Sequence, residues 1–257
     1  MKLCPVFLAC SSLLFISRIA SAQSDTFTQG FENVPALTAA GWVFRNNSST
    51  PVESWGQGND NVFDAQSGIP TDYVGVGVGS TAGDAPGEVI SNWLLTPTLT
   101  LSSQSVISFW TRTVDTPFAP DRLEVRLSTN GGSSGVGNRP TDVGDFVTTL
   151  LTINPDLTTV GYPNSWRQYS ISLNNVSGTF TGRVGFRYYV EDGGVLGANS
   201  DYIGLDTLRV APVAVPEQSV AVLALVGILA TIGLHGGYGA TRNTRPSRNP
   251  SVISPSP

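Results

Sequence analysis

Apolar and polar residues alternate in short segments along most of the chain, and residues 121–132 show the pattern clearly. In this segment, DRLEVRLSTNGG, the aliphatic residues Leu123, Val125 and Leu127 alternate with charged ones. A period of two is typical of a β-strand with one face on the core and one in water. Asn130-Gly131 follows directly and supplies the left-handed conformations that a tight hairpin turn needs. The segment therefore predicts a strand and a turn.

Similar short patterns recur at regular intervals, and no segment between residues 26 and 210 keeps a helical apolar period beyond two turns. Strands are predicted at Thr26–Phe31, Trp42–Asn46, Asp72–Val78, Glu88–Leu95, Val106–Val114, Arg122–Thr129, Phe146–Ile153, Arg167–Leu173, Gly182–Val190 and Asp201–Val210. About ten short strands at this spacing predict an all-β fold, a jelly-roll β-sandwich. Two long polar loops, 46–68 and 131–144, are where a rigid sandwich would carry binding residues.

Residues 1–22 have the pattern of a secretory signal peptide. Lys2 precedes an apolar run over residues 6–16, and Ala20-Ser21-Ala22 is typical of a cleavage site. Both cysteines of the chain fall in this segment, so we expect no disulfide and no thiol chemistry in the exported part. Its stability must come from the hydrophobic core of one domain, residues 23–210.

The C-terminal end has the pattern of a membrane anchor. Residues 211–218 form a short, stiff linker, and residues 219–238 are almost entirely aliphatic or glycine. A helix of that length spans about 30 Å, the thickness of a bilayer's hydrocarbon core. We therefore expect one C-terminal transmembrane helix. Residues 239–257, with three arginines, would form a basic cytoplasmic tail and leave the sandwich outside.

Charge is distributed unevenly along the chain. All 19 acidic residues lie between Asp25 and Glu217. The same span contains nine arginines, so its net charge is −10. The single lysine and the single histidine, Lys2 and His235, lie outside that span. An acidic surface repels nucleic acids and anionic membranes, so no nucleic-acid partner is expected.

The residue types that are missing exclude several kinds of catalysis. Residues 23–210 contain no histidine, cysteine or lysine. Serine and cysteine triads, zinc sites and Schiff-base chemistry need those side chains. A glycosidase that uses two carboxylates is the enzyme class that remains, and no pair of acidic residues at a recognisable spacing indicates it. The sequence favours a protein without catalytic activity, with a carbohydrate-active hydrolase as the alternative.

The C-terminal segment resembles the PEP-CTERM sorting signal of Gram-negative and cyanobacterial surface proteins. The resemblance rests on Val215, Pro216 and Glu217, on the apolar stretch that follows, and on the arginines that begin at Arg242. Gln218 stands where the motif usually has proline. The resemblance implies an exosortase-like enzyme as partner, which removes the tail, so that anchoring in the inner membrane would be transient.

The exported part resembles choice-of-anchor J domains, which are related to the cleaved-adhesin and MAM-like jelly rolls. Five motifs in order carry the resemblance: Phe31-Glu32 followed by Gly41-Trp42, then SNWLLTP at 91–97, ISFW at 107–110, STNGG at 128–132 and DYIGLD at 201–206. The tryptophan that many relatives carry soon after the STNGG-like turn is replaced by residues 133–143. The resemblance implies a jelly-roll fold and a surface location.

Calcium is the cofactor that this resemblance implies. In the resembled families, the positions of Glu32 and Asp206 often belong to a structural calcium site with oxygen ligands. Asp206 lies among apolar residues of both strand faces, so its carboxylate is expected to be buried and to need a cation or several hydrogen bonds. Asp60 and Asp201 are further candidate ligands. The alternative is a hydrogen-bonded Asp206 and an exposed Glu32.

Tryptophans could form a platform on which sugar rings stack. Trp93 and Trp110 lie in strand patterns and are expected in the core. Trp55 lies in a polar loop and is the candidate for ligand binding. Together these features predict an exported β-sandwich protein of the cell surface or extracellular matrix, which adheres to or organises extracellular polysaccharide or surface glycans. A carbohydrate-active hydrolase and a purely structural surface spacer are the alternatives.

Overall fold

The computed structural model describes residues 26–83 and 85–212, which form twelve β-strands and two single-turn 3-10 helices. The strands are β1 (Phe27–Gln29), β2 (Val43–Asn46), β3 (Gly56–Gln57), β4 (Val74–Gly77), β5 (Val89–Leu95), β6 (Leu99–Ser102), β7 (Ser105–Thr113), β8 (Leu123–Ser128), β9 (Thr148–Ile153), β10 (Arg167–Ser172), β11 (Thr179–Glu191) and β12 (Tyr202–Pro212). The 3-10 helices are Val34–Ala36 and Val78–Ser80.

The strands form two six-stranded sheets in which every pair is antiparallel. The first sheet has the order β10-β7-β12-β4-β3, with β1 also beside β12. The second has the order β2-β5-β11-β8-β9, with β6 also beside β11. The core lies between them, and Phe109 of the first sheet meets Phe186 of the second with ring centroids 5.1 Å apart. The fold is a β-sandwich, as the period of two predicts.

The long strand β12 organises the first sheet. One of its edges pairs with β7, while the other pairs first with β4, up to Leu205, and then with β1, from Leu208. Between the two partners the register shifts by a β-bulge, and Thr207 has a φ of 48°. A β-branched residue rarely adopts a positive φ, so this bulge is a specified feature of the strand. It leaves a gap in the sheet edge that a loop must fill.

The ten predicted strands are all present, with ends that differ by a few residues, while β3 and β6 were not predicted. Strand β3 has only two residues, which leaves no alternation to detect. Asn130-Gly131 does form a turn, with the N–H of Ser133 donating to the carbonyl of Asn130 at 3.0 Å. The turn does not close a hairpin, because β8 pairs with β9 only after a long loop over residues 129–147.

The predicted signal peptide (1–22), sorting motif, transmembrane helix (219–238) and basic tail (239–257) lie outside the described residues. None of the helices within residues 26–83 and 85–212 is long and apolar enough to cross a membrane.

Candidate ligand-binding face

The outer face of the first sheet carries a row of polar side chains across four strands. In β7 buried residues alternate with half-buried ones, and Ser108 belongs to the half-buried, outward set. Ser108 lies opposite Ser170 of β10 on one side and Arg209 of β12 on the other, and Arg209 lies opposite Thr28 of β1. Residues that pair across antiparallel strands share a face. The row therefore spans three inter-strand spacings, about 14 Å.

Two tryptophans lie on this face beside the polar row. Trp110 follows Ser108 on the outward side of β7, is half-buried, and lies opposite the exposed Gln168. Trp166, just before β10, is also half-buried, and its indole N–H donates to the carbonyl oxygen of Asp64 at 2.8 Å. We call Ser108, Trp110, Trp166, Gln168 and Ser170 the tryptophan face. It combines aromatic surface with hydrogen-bonding groups that face solvent.

One side of the tryptophan face is supported by an aromatic cluster from the loop between β3 and β4. Phe63 meets Trp166 edge-on at 5.6 Å, and Tyr73 meets it at 5.7 Å. All three rings lie against Gly204 of β12, where an added Cβ would come within 3.0 Å of each of them. Glycine at 204 therefore lets the rings reach the strand backbone, and the packing fixes the indole of Trp166 in place.

A cavity of about 310 Å³ opens on the other side of β12, at its bulge. It is lined by Thr28, Gln29, Gly30, Glu32, Ser67, Gly68, Thr207, Leu208 and Arg209. The cavity exists because β4 and β1 leave a gap along β12, which the loop at residues 66–68 only partly fills. Arg209 belongs both to the cavity lining and to the polar row, so the cavity and the tryptophan face are continuous.

Two side chains of opposite charge, Glu32 and Arg209, line this cavity. Both are exposed, and among residues 26–83 and 85–212 neither makes a hydrogen bond or an ion pair through its charged group. The carboxylate of Glu32 folds back over Gly30, where an added Cβ would lie 2.4 Å from its Oε1 atom. Phe31 lies between Gly30 and Glu32 and has a φ of 60°. This positive φ turns the chain so that Glu32 reaches the cavity.

Asp206 is fully buried, as the sequence predicts, and its carboxylate holds the loop at the bulge. Its Oδ2 accepts the backbone N–H of Gln66 at 2.9 Å and that of Ser67 at 3.0 Å. Its Oδ1 accepts the N–H of Thr207 at 2.5 Å. Burial raises the pKa of Asp206 to about 6, against the lowering effect of these hydrogen bonds. N–H groups occupy the directions from which a cation would approach this carboxylate.

The four candidate calcium ligands do not form a group of three or more that could hold a metal ion. Glu32 is exposed in the cavity, and Asp60 is exposed at the tip of the loop between β3 and β4. Asp201, just before β12, accepts the N–H of Phe118 at 3.1 Å through Oδ2. In the part of the chain that the structure describes, no group of three or more Asp, Glu, His or Cys could hold a metal ion. Calcium binding therefore stays a prediction.

The expected roles of two tryptophans differ from their places in the structure. Trp55 is only 4% exposed, and its indole N–H donates to the carbonyl of Asn92 at 3.2 Å, so its ring does not face a ligand. The polar residues around Trp55 gave no sign in the sequence that its side chain points inward. That orientation depends on the pairing of the next residue, Gly56, with Gly75 of β4. Trp110, expected in the core, lies on the outer face, and Phe109 next to it points inward. The alternation in β7 could have revealed this outward position.

Comparison with solved structures finds similar β-rich domains at low sequence identity. The K1 cleaved adhesin domain of Lys-gingipain from Porphyromonas gingivalis is 20% identical, with a TM-score of 0.48, covering 74% of this chain and 99% of that one. The K2 cleaved adhesin domain of Lys-gingipain is also 20% identical, with a TM-score of 0.47, covering 73% and 99%. A family 11 carbohydrate-binding module from Clostridium thermocellum is 13% identical, with a TM-score of 0.38, covering 75% and 98%.

No model of a protein family matches the sequence, and comparison with curated proteins finds no match.

Proposed function

We propose that this protein is an exported, non-catalytic β-sandwich of the bacterial surface that binds extracellular polysaccharide through the tryptophan face. The observation that carries the proposal is the pair of half-buried tryptophans, Trp110 and Trp166, beside solvent-facing polar side chains on one sheet. Sugar rings have an apolar face and a rim of hydroxyl groups, so they suit a surface on which aromatic rings adjoin hydrogen-bonding groups.

Export and surface attachment rest on the sequence. The signal-peptide pattern of residues 1–22 and the resemblance to choice-of-anchor J proteins support a place outside the cell. The resemblance of Val215, Pro216 and Glu217 to the PEP-CTERM motif supports sorting by an exosortase-like enzyme, after transient anchoring in the inner membrane. The protein would then act at the cell surface or in the extracellular matrix, in adhesion or in matrix organisation.

A hydrolase is less well supported than a binding protein. Glycosidases use two carboxylates about 5 to 9.5 Å apart across the bond that they cleave. The lining of the cavity includes one carboxylate, that of Glu32. The nearby carboxylate of Asp206 is fully buried and is turned to the backbone N–H groups of the loop at residues 66–67.

Affinity electrophoresis of the full chain through gels that contain neutral polysaccharides tests the binding function. We expect retardation of the wild type by at least one of mixed-linkage β-glucan, galactomannan, xyloglucan and dextran. Trp110→Ala should weaken that retardation about tenfold or more, the size expected for a central aromatic contact. Gln168→Ala, which truncates an exposed neighbour of Trp110, should weaken it to a smaller extent.

The matched control is Phe118→Ala, because Phe118 is 95% exposed and lies outside the tryptophan face. It should bind like the wild type, and melting curves of all variants show whether they are folded. Incubation with the same polysaccharides followed by a reducing-sugar assay should release nothing. Retardation that Trp110→Ala and Gln168→Ala leave unchanged would place binding elsewhere, and reducing sugar released by the wild type alone would support the hydrolase.

Structural calcium remains part of the proposal as the cofactor that the resemblance to choice-of-anchor J domains implies. Millimolar calcium should then raise the melting temperature, a chelator should lower it, and Asp206→Asn should abolish the difference. A wild-type melting curve that does not move with the chelator would leave Asp206 as a hydrogen-bonded core residue, the arrangement described above.

A further inference from the structure

We propose that the cavity at the β12 bulge is a subsite that binds one uncharged sugar unit of the polysaccharide, held between Glu32 and Arg209. This rests on the proposed function, and it adds both a second point of contact and a preference for neutral over anionic sugars. The two charged groups line one cavity and bond to no other described residue. A ligand with hydroxyl groups satisfies both of them at once.

The chemistry of the two groups matches a polyhydroxylated ring. A carboxylate such as that of Glu32 only accepts hydrogen bonds, and the guanidinium of Arg209 only donates them. A sugar hydroxyl does both, so adjacent hydroxyl groups can donate to Glu32 and accept from Arg209. Hydrogen bonds to charged groups are about twice as strong as those between neutral groups. The pair therefore favours a ligand that carries adjacent hydroxyl groups.

The charges in and around the cavity disfavour an anionic ligand. Arg209 alone would attract the carboxylate of a uronic acid, but Glu32 in the same cavity repels it at short range. The exported part of the chain also carries a net charge of −10, counted from Asp25 to Glu217, which disfavours a polyanion at longer range. An uncharged sugar avoids both repulsions.

The size and position of the cavity fit one unit of a longer polymer. Its volume of about 310 Å³ is at the small end of ligand pockets, which suits a single small ring rather than a whole oligosaccharide. The row of Thr28, Arg209, Ser108 and Ser170 is about 14 Å long and runs from the cavity lining, through the neighbouring pair Arg209 and Ser108, onto the tryptophan face. A chain that stacks on Trp110 can therefore extend over Arg209 into the cavity.

The position of the Glu32 carboxylate can be changed without changing any charge. Glycine at position 30 leaves room for that carboxylate, and an added Cβ would lie 2.4 Å from Oε1. Gly30 has no positive φ, so alanine fits the backbone there and displaces the flexible Glu32 side chain instead. Gly30→Ala therefore separates the placement of the carboxylate from its charge.

Calorimetric titration of the full chain with mixed-linkage β-glucan and galactomannan oligosaccharides, as neutral probes, and oligogalacturonate, as the anionic probe, tests the subsite. All titrations contain a chelator, so that metal binding by Glu32 does not contribute. Glu32→Gln and Gly30→Ala should each weaken binding of the neutral probe that the wild type prefers by about tenfold, the loss of one charge-assisted hydrogen bond. Glu32→Gln should at the same time strengthen binding of oligogalacturonate, while Arg209→Gln should weaken both.

The outcomes separate this inference from the proposed function. If Trp110→Ala weakens binding while Glu32→Gln, Gly30→Ala and Arg209→Gln bind like the wild type, the cavity is not a subsite and the tryptophan face still binds. If the wild type prefers oligogalacturonate to both neutral probes, the assignment of an uncharged sugar is wrong. If the wild type binds none of the probes, the subsite assignment is wrong, and the binding function is also wrong if none of the four polysaccharide gels retards the protein.

Discussion

The carboxylate of Asp206 accepts the backbone N–H of Ser67 at 3.0 Å, and so joins β12 to a loop 139 residues earlier in the chain. The same Oδ2 atom accepts the N–H of Gln66, and Thr207 Oγ1 donates to Gln66 Oε1 at 2.9 Å. The loop and the bulge therefore hold each other, and between them they form one wall of the cavity. A buried acceptor with several donors is expensive to remove.

Asp206→Asn should destabilise the protein by about 1 to 3 kcal/mol, because an amide N–H₂ would then face backbone N–H donors on one side of the carboxamide. Asp60→Asn is the matched control, since Asp60 is exposed at the tip of the same loop, and it should change stability by less than about 0.5 kcal/mol. Urea unfolding measures both. Equal midpoints for the two variants would contradict a structural role for Asp206.

A second buried carboxylate, Asp121, predicts an unusual dependence of stability on pH. Its oxygens accept hydrogen bonds from Thr113 Oγ1 at 2.5 Å and from the N–H of Asp201 at 2.8 Å, as well as from the hydroxyl of Tyr188. Burial raises its pKa to about 6, despite these hydrogen bonds. Well below pH 4 the group is protonated in both the folded and the unfolded state. Between about pH 4 and 6 only the unfolded chain ionises, so stability falls as the pH rises.

Asp121→Asn should remove this loss, because the amide stays neutral and its N–H₂ can donate to Thr113 Oγ1, which itself donates to the carbonyl of Tyr202 at 3.0 Å. Relative to the variant, the wild type should lose about 2 kcal/mol of unfolding free energy between pH 4 and pH 7.5. Urea titrations at both pH values measure the difference, in which the other ionisable groups cancel. A difference that is independent of pH would show that the pKa of Asp121 is not raised.

The ion pair of Glu124 and Arg187, on the outer face of the second sheet, gives stability the opposite dependence on pH. The two groups are 3.0 Å apart, and the side chain of Arg187 is 2% exposed. Burial raises the pKa of Glu124, but a hydrogen bond from Arg126 and the charges of Arg187 and Arg126 outweigh it and hold the pKa below its usual value. The stability that this pair contributes is present above the unfolded pKa and is lost as the pH falls.

Glu124→Gln should destabilise the protein by about 3 kcal/mol at neutral pH, because it leaves a buried guanidinium without its counter-charge. The control is Asp115→Asn, which removes an ion pair of Arg112 whose acidic partner has an 82% exposed side chain. Exposed pairs of that kind contribute about 0 to 1 kcal/mol. Thermal unfolding at neutral pH distinguishes the two, and equal losses would argue against desolvation as the cause.

Processing of the C-terminus is tested by the mass of the protein recovered from the cell surface. If an exosortase-like enzyme recognises Val215, Pro216 and Glu217, the recovered chain should end near Glu217. Intact mass spectrometry measures the end directly, and replacing Pro216 and Glu217 with alanine should leave the tail in place. Recovery of wild-type protein that still contains Arg242 to Pro257 would contradict processing and leave a membrane span possible.

The sequence by itself determined the fold class, because alternation with a period of two is a local property. The alternation in β8 identifies Leu123, Val125 and Leu127 as its core face, and all ten predicted strands are present. The expected wet face of β8 was wrong, because Glu124 on that face is buried and paired with Arg187. The burial of Asp206 was also predictable, since apolar residues flank it on both faces. The two-residue strand β3 was not predicted, because it is defined only by its pairing with β4.

Only the tertiary structure decided which residues form the candidate site. Glu32 and Arg209 lie far apart in sequence, and they line the same cavity because β1 pairs with the end of β12 beyond its bulge. Trp55 points into the core and Trp110 points out of it, and the direction depends on register, in which a shift of one residue exchanges the two faces. Register is set by long-range pairing and by bulges, neither of which leaves a mark on the local pattern of apolar and polar residues.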